Sequence, residues 1–266
     1  MSVIQGIILG ILQGIAEFLP ISSSGHLILG QRIFGLEEPM FTFDIVVHIG
    51  TLLSILAVFY KDVWKLIKNP FSKMTGLLIV GTIPVVIAGF FLRGIIDTTL
   101  RGPLVLGTAF FITGILLLIC DRIKNPTKTE SEITFKDALI IGLMQAMALP
   151  PGISRSGATI SGALFCGISR EAAAKFSFML AIIAIAGAGV LESVQVIRGD
   201  AVLESIGFGA LAAGFISSAI VGFLSIKLLL KLIKAAKLKY FSFYVFFLSG
   251  FILADYIFFG IFFTAT

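Results

Sequence analysis

The chain has 266 residues, of which 58% are hydrophobic and only 13% are charged, and its mean hydropathy is +1.07. A soluble domain carries about one-quarter charged residues, so this composition excludes a water-soluble fold. Several membrane spans would use most of the chain, which predicts one membrane domain over residues 1–266. The net charge of +5 would suit nucleic acid, but the basic residues lie in loops beside apolar segments. We therefore expect a membrane bilayer, and no nucleic acid, as a partner.

Six charge-free windows are long enough, with their flanks, to cross a hydrocarbon core, which takes about 20 helical residues. The last window is interrupted near its end by Asp255. The windows predict an all-α integral membrane protein with six transmembrane helices. They are centred on Ile45–Tyr60, Thr75–Leu92, Gly102–Cys120, Phe176–Leu191, Ser205–Ile226 and Tyr240–Phe263.

Two further regions each contain two short apolar pieces that are separated by Pro, Ser and Gly. The breakers occupy residues 17–26 in the first region and 150–157 in the second. Each apolar piece is too short or marginal for a span, and irregular backbone survives at membrane depth only where protein or a wet cavity surrounds it. Both regions are therefore predicted to be re-entrant helical hairpins, which enter and leave the membrane by the same side.

The two broken regions also match each other without a gap. Gly10-Ile-Leu-Gln13 corresponds to Gly142-Leu-Met-Gln145, and Ile21-Ser-Ser-Ser-Gly25 corresponds to Ile153-Ser-Arg-Ser-Gly157. The chain thus contains two repeats, about 1–120 and about 133–263, each with a hairpin followed by three spans. Because three is odd, the second repeat begins on the opposite side of the membrane, so the repeats are predicted to be inverted. Paired breaks of this kind indicate a binding site near the midplane.

The distribution of basic residues predicts the orientation. With this topology four arginines lie on one side and fifteen basic residues lie on the other, which the positive-inside rule makes cytoplasmic. Both termini and the first hairpin then face outward, and the second hairpin enters the plasma membrane from the cytoplasm. The fifteen are Lys61, Lys65, Lys68, Lys73, Arg122, Lys124, Lys128, Lys136, Arg170, Lys175, Lys227, Lys231, Lys234, Lys237 and Lys239.

Three ionisable residues fall at the two breaks: Glu17, His26 and Arg155. Intramembrane ionisable groups are costly and usually functional. The second helix of each hairpin would begin at a serine-rich tip, where free N–H groups and the helix dipole favour anions. Arginine adds a planar fork for phosphate oxygens, which predicts a polyoxygenated anion as ligand. Hydroxyls are supplied there by Ser22, Ser23, Ser24, Ser154, Ser156 and Thr159.

Binding alone would not require Glu17 and His26 beside a row of serines, since these residues supply a general acid, a general base and a nucleophile. The pattern therefore favours a hydrolase. Simpler interpretations stay open: a structural Glu17–Arg155 ion pair, serines that act as N-caps, and a His26 that bonds a backbone carbonyl. Gln13 and Gln145 are typical of polar links between helices. Asp44 and His48, four residues apart, suit either a proton relay or a structural hydrogen bond.

At these residues the sequence resembles the undecaprenyl pyrophosphate phosphatases, the bacitracin-resistance family of bacterial membrane proteins. The resemblance runs nearly end to end. It rests on Gln13-Gly-Ile-Ala-Glu17-Phe-Leu-Pro-Ile-Ser-Ser-Ser-Gly-His26 and Pro151-Gly-Ile-Ser-Arg-Ser-Gly-Ala-Thr159, with weaker support from Gly81-Thr-Ile-Pro84. It implies removal of the terminal phosphate from a polyprenyl pyrophosphate lipid, which recycles the carrier for cell-wall synthesis, with help from a divalent cation such as Mg²⁺ or Ca²⁺.

Carried over by motif position, the resemblance implies that Glu17, Ser23, His26 and Arg155 are catalytic. Glu17 is the acidic residue, Ser23 the proposed nucleophile and His26 its partner, although His26 or water are alternative nucleophiles. The substrate-binding residues would be Ser22, Ser24, Gly25, Ser154, Ser156, Thr159 and Gln13, while the metal ligands are left unassigned.

Two departures from the family pattern stand out. Gln13 replaces a glutamate of many relatives, and Val245 stands where many have arginine.

Inverted repeats with broken helices are also typical of secondary transporters, so a flippase of polyprenyl phosphate lipids is the alternative function. The oligomeric state is left open, with a homodimer as one alternative.

Overall fold

A computed structural model describes residues 1–36, 40–98, 100, 102–124, 126–198, 206–234 and 237–263. These residues form eleven α-helices, and within them no β-strand occurs. In chain order the helices are α1 (Val3–Ala16), α2 (Ser23–Ile33), α3 (Phe41–Val58), α4 (Tyr60–Lys68), α5 (Lys73–Thr98), α6 (Pro103–Asp121), α7 (Phe135–Met147), α8 (Arg155–Phe165), α9 (Arg170–Arg198), α10 (Phe208–Lys234) and α11 (Leu238–Ala254).

Six of the helices are long and apolar enough to cross a membrane, which confirms the predicted number and positions of the spans. The chain is therefore a multi-pass membrane protein. The spanning stretches are Phe41–Val58, Lys73–Leu92, Pro103–Asp121, Arg170–Leu191, Phe208–Ile233 and Leu238–Phe259.

Asp255 interrupts the last span for a structural reason. Its carboxylate accepts backbone N–H groups of Ile261, Phe262 and Phe263 at 3.1, 3.0 and 2.8 Å. These donors would otherwise be left without helical partners, because the helix ends at this point. The buried Asp255 carboxylate therefore holds residues 261–263 in place.

The two broken regions each form a pair of short helices, α1 with α2 and α7 with α8. The breaks lie where the residue types predict them. Ser22 adopts a φ of 71°, a conformation rare for a residue with a side chain, and α2 begins at the next residue. In the second pair Gly152 adopts a φ of 96°, and α8 begins at Arg155. Each pair therefore turns at its Ser- and Gly-rich tip.

The first helix of each pair packs tightly on a long helix from the other half of the chain. Gly10 of α1 lies so close to α10 that an added Cβ would overlap the backbone of Gly214. At the corresponding place in the second half, an added Cβ at Gly142 of α7 would overlap the backbone of Gly81 in α5. Small residues permit such close helix crossings inside membranes. Positions that correspond in the two predicted repeats thus make corresponding contacts.

Candidate active site

The tips of the two helix pairs meet and are joined by hydrogen bonds. The hydroxyl of Ser22 accepts the N–H of Gly25 in its own helix at 3.4 Å and the N–H of Gly152 in the other pair at 3.2 Å. From the other side, Ser156 donates to the carbonyl oxygen of Leu19 at 3.2 Å. The N-termini of α2 and α8 therefore lie beside each other, and their positive dipole ends favour an anion there.

Gly25 allows this close approach. A Cβ at this position would lie 2.6 Å from the Phe110 ring and 3.1 Å from the Cα of Gly152. The Phe110 side chain is fully buried and the Gly152 atom belongs to the backbone, so neither has room to withdraw. Gly25 thus has a steric role at the junction, and its predicted contact with substrate stays a prediction.

Glu17 is the centre of the polar contacts at the junction. Its Oε1 forms an ion pair with the Nη2 of Arg155, while its Oε2 accepts the Ser23 hydroxyl at 2.6 Å and the Gln13 amide at 3.0 Å. The Glu17 side chain is only 6% exposed. A carboxylate this close to a serine hydroxyl is placed to take its proton. The structure therefore brings together four of the residues selected from the sequence.

Arg155 has a second terminal nitrogen that the protein does not use. Its Nη1 is buried and has no hydrogen-bond partner among the described residues. A guanidinium has five N–H donors in a fixed fork, and a buried donor without a partner costs about 1–3 kcal/mol. Nη2 forms the structural ion pair with Glu17. The unpaired Nη1 is suited to bind an oxygen-rich anion.

His26 uses both of its ring nitrogens. Its Nδ1 lies 2.8 Å from the carbonyl oxygen of Ser22, and its Nε2 lies 2.8 Å from the hydroxyl of Tyr244. Since a carbonyl oxygen only accepts, Nδ1 donates, and in the neutral ring Nε2 accepts from the Tyr244 hydroxyl. The two rings are also stacked, with centroids 5.6 Å apart, and Phe110 meets the imidazole edge-on. The Ser22 carbonyl therefore fixes the tautomer of His26, and Tyr244 holds the orientation of the ring.

His48 also belongs to the site. Its Nδ1 lies 2.7 Å from the backbone oxygen of Asp44, and its Nε2 lies 3.7 Å from the Oε2 of Glu17. The hydrogen bond between Asp44 and His48 thus uses the backbone oxygen of Asp44. The Asp44 side chain instead accepts the Gln31 amide at 2.8 Å. The imidazole is 32% exposed, so it lies between the buried Glu17 and the surface of the protein.

Several hydroxyls that were candidates for substrate binding have structural partners. Ser22 caps α2, and Ser154 caps α8 by accepting the N–H of Gly157 at 3.0 Å. Thr159 bonds the Ser177 hydroxyl at 2.6 Å. The N-cap interpretation is confirmed for both serines. A contact of these hydroxyls, of Ser156 or of Ser24 with substrate stays a prediction.

The glutamines that correspond in the two repeats have different surroundings. Gln13 bonds Glu17, whereas the position that corresponds to Glu17 in the second repeat is Leu149. The side chain of Gln145 is buried, and neither its oxygen nor its nitrogen has a partner among the described residues. Of the two corresponding positions beside the breaks, only the first therefore carries a carboxylate.

The sequence matches one protein family over nearly its whole length. Residues 6–251 match the model of the family described as bacitracin resistance protein BacA. The chain belongs to the BacA family. A relative from Carboxydothermus hydrogenoformans, named undecaprenyl-diphosphatase, is 42% identical over 249 residues that cover 94% of this chain and 95% of the relative.

Further relatives carry similar names. Undecaprenyl-diphosphatase 4 of Bacillus cereus is 44% identical over 245 residues, which cover 92% of this chain and 94% of the relative. Undecaprenyl-diphosphatase of Methanosphaera stadtmanae is 41% identical, with the same two coverages. The resemblance found in the two motifs is thus confirmed. Neither the BacA match nor these relatives supports the alternative of a flippase.

The acidic residues of this BacA-family chain do not make a metal cage by themselves. Both oxygens of Glu17 are engaged by Arg155, Ser23 and Gln13, and the described residues contain no group of three His, Cys, Asp or Glu side chains that would hold a metal ion. Gln13, the neighbour of Glu17 in the same helix, is an amide and adds no second carboxylate. The donors present therefore do not fit a protein-ligated divalent cation, and the predicted cation stays a prediction.

Sequence reasoning left some functional neighbours unassigned. Tyr244 lies 218 residues from His26. In the sequence only its neighbour Val245 stands out, as a departure from the family pattern. Val245 itself is fully buried. Thr113 of α6 was also missed, although its Oγ1 accepts the N–H of Ser154 at 3.1 Å and donates to the Gly152 carbonyl at 3.0 Å. No local pattern marks either residue, because their partners belong to distant helices.

Proposed function

We propose that this chain is an undecaprenyl-diphosphatase, which hydrolyses undecaprenyl pyrophosphate to undecaprenyl phosphate and inorganic phosphate and so recycles the lipid carrier for cell-wall synthesis. The family and the names of the relatives support this activity. The observation that carries it is the Glu17 carboxylate, which holds a serine hydroxyl on one oxygen and an arginine on the other at the junction of two helix N-termini.

The pyrophosphate would lie at this junction. The free Nη1 of Arg155 and the dipoles of α2 and α8 supply positive charge where the phosphate charge has to be neutralised. Phosphoryl transfer depends chiefly on such positioning and charge stabilisation. The polyprenyl tail is apolar and would lie in the bilayer along the spanning helices.

The reaction proceeds by one of three routes. In the first, Glu17 takes the proton of the Ser23 hydroxyl, and Oγ forms a bond to the terminal phosphorus while the bond from that phosphorus to the bridging oxygen breaks. Undecaprenyl phosphate leaves, and water hydrolyses the phosphoserine to release inorganic phosphate. In the others, water or His26 attacks the same phosphorus. The 2.6 Å contact between Ser23 and Glu17 favours the first route.

His26 would act as a fixed hydrogen-bonding and acid–base group at the rim of the site. Its Nε2 reaches substrate only by exchanging the Tyr244 hydroxyl for a substrate oxygen or by passing a proton through that hydroxyl. Tyr244 is thus a positioning residue for His26. Its ring stacks on the imidazole and limits the movement of the imidazole during this exchange.

The membrane arrangement is also part of the proposal. The two helix pairs would be re-entrant hairpins in inverted repeats, with the catalytic junction open to the outer face and both termini outside. This is supported by the corresponding crossings at Gly10 and Gly142 and by the excess of basic residues on the opposite side. A divalent cation such as Mg²⁺ or Ca²⁺ would be bound mainly by phosphate oxygens and water, since the protein offers few ligands.

The activity is tested with purified protein and undecaprenyl pyrophosphate in detergent. Release of inorganic phosphate with formation of undecaprenyl phosphate is expected, and Glu17→Gln should abolish it because the amide cannot take a proton. If the wild-type protein binds the lipid and releases no phosphate, the hydrolase assignment is wrong. Lipid translocation in vesicles without hydrolysis would then favour the flippase.

A further inference from the structure

Helix α4 lies at the surface of the protein, and most of its residues are exposed. None of its nine residues is buried. One side faces the protein: Asp62 forms a 2.8 Å ion pair with Lys175 of α9, and Leu66 packs against the edge of the core. The other two sides of the helix have no role in the proposed catalytic junction.

The first free side is apolar. Tyr60, Trp64 and Ile67 follow one another at helical spacing and are all more than half exposed, with Trp64 at 57%. Phe71, just beyond the helix, is fully exposed. An apolar surface of this kind on a chain that also exposes its spans to lipid is expected to lie in the bilayer.

The second free side is basic. Lys61, Lys65 and Lys68 have the same spacing and each follows a residue of the apolar side by one position. The Nζ of Lys68 lies 5.4 Å from the centre of the Trp64 ring, so the lysine extends along the border of the two sides. The one carboxylate of the helix, that of Asp62, is held by Lys175. The charge of the three lysines on the basic side is therefore not cancelled by Asp62.

The position of α4 matches this division. Phe59 ends the spanning helix α3 and directly precedes the first residue of α4, so α4 begins where a span leaves the hydrocarbon core. Tryptophan and tyrosine are enriched at this depth, and lysine side chains reach outward from it to the headgroups. An aromatic side in the acyl boundary places the lysines at the level of the phosphates.

We infer that α4 together with Phe71 is a binding surface for anionic phospholipids. The aromatic side inserts among the acyl chains, and Lys61, Lys65 and Lys68 bind the phosphates of headgroups that carry a net negative charge. Zwitterionic headgroups carry no net charge and are not enriched by three uncompensated lysines. This inference goes beyond the proposed hydrolase and does not depend on it.

Trp64 makes the inference measurable because it is the single tryptophan of the chain. The full-length protein is placed in nanodiscs of phosphatidylcholine and phosphatidylglycerol, with bromine on the acyl chains of one lipid at a time and the same mole fraction brominated. We expect brominated phosphatidylglycerol to quench Trp64 more, with a local enrichment of at least about fivefold from the lysine charges. High salt should reduce this preference because it screens the charges.

Two triple variants separate the lysines of α4 from overall charge. Lys61→Gln, Lys65→Gln and Lys68→Gln together should remove the preference while both lipids still quench Trp64. The matched control changes three exposed lysines elsewhere, Lys124, Lys136 and Lys231, to glutamine and should keep the preference.

Three results would overturn the inference. Equal quenching of the wild-type protein by both lipids would show that the lysines select no headgroup. Quenching by neither lipid would place Trp64 outside the bilayer. Loss of the preference in the control variant would assign it to the net charge of the whole protein. The salt dependence of the wild-type protein supplies a test that needs no variant.

Discussion

Ser23 and Arg155, which are the first residues of α2 and α8, bond the two oxygens of the same carboxylate. They occupy positions that correspond in the two repeats. The first repeat has serine at this position and the second has arginine, and the Glu17 carboxylate lies between the two side chains. If Ser23 attacks and Arg155 binds the phosphates, one repeat position supplies both the attacking group and the anion-binding group of a single site.

Arg155→Lys should lose at least about a hundredfold in kcat/KM, although the charge is kept. A lysine ammonium cannot bond Glu17 and a phosphate oxygen with the planar geometry of the guanidinium. Phosphate release with undecaprenyl pyrophosphate measures this. A variant with near wild-type kcat and KM would show that the fork does not hold the substrate.

Ser23→Ala should lose at least about a thousandfold in turnover if Ser23 is the nucleophile. Ser22→Ala is the comparison: it removes a cap and the bond to Gly152, so it should lower stability by about 1 kcal/mol and turnover much less. Substitution of His26 in an otherwise intact protein should allow a phosphoserine at Ser23 to be trapped and detected by mass spectrometry. Should Ser23→Ala keep substantial turnover while Glu17→Gln and His26→Ala are inactive, water or His26 is the attacking group.

Tyr244→Phe should lower kcat by roughly ten- to hundredfold, because the ring stack remains but the hydroxyl that orients His26 is lost. The pH profile of kcat should change as well, since the surroundings of the imidazole change. Tyr240→Phe is the matched control, because Tyr240 is exposed and its contact is with Lys239. An unchanged rate and pH profile for Tyr244→Phe would remove Tyr244 from the mechanism.

Gly25→Ala should destabilise the protein by about 1–3 kcal/mol and reduce activity, because the added methyl group forces the two tips apart. Thermal unfolding in detergent and phosphate release measure the two effects. Gly250→Ala in α11 is the control, since no atom lies within 4 Å of its added Cβ and a neutral result is expected. Equal stability of the two variants would contradict the tight junction.

The orientation is tested by cysteine labelling in cells, in a variant whose Cys120 and Cys166 are replaced by alanine. A membrane-impermeant reagent should react with Ser2→Cys and leave Lys68→Cys unlabelled until the cells are opened, because the basic side is predicted to be cytoplasmic. The reverse labelling would place the catalytic junction on the cytoplasmic face.

The spans and the breaks can be predicted from local stretches of the sequence. Hydropathy over about 20 residues and the backbone preferences of Pro, Gly and Ser are local properties, so the six spans and the two short-helix pairs follow from the order of residues alone. The repeat match and the two motifs then selected Glu17, Ser23, His26 and Arg155 as one group. The Glu17–Arg155 ion pair and the N-caps Ser22 and Ser154, which the sequence also suggests, are present as well.

Which side chains of the site are in contact depends on the tertiary structure. Arg155 lies 138 residues from Glu17 and Tyr244 lies 218 residues from His26, and both contacts exist because helices from distant parts of the chain pack against each other. The same is true of His48, whose distance to Glu17 depends on where α3 passes the first tip. A crossing is set by the packing of complete helix surfaces, so no short stretch of sequence contains it.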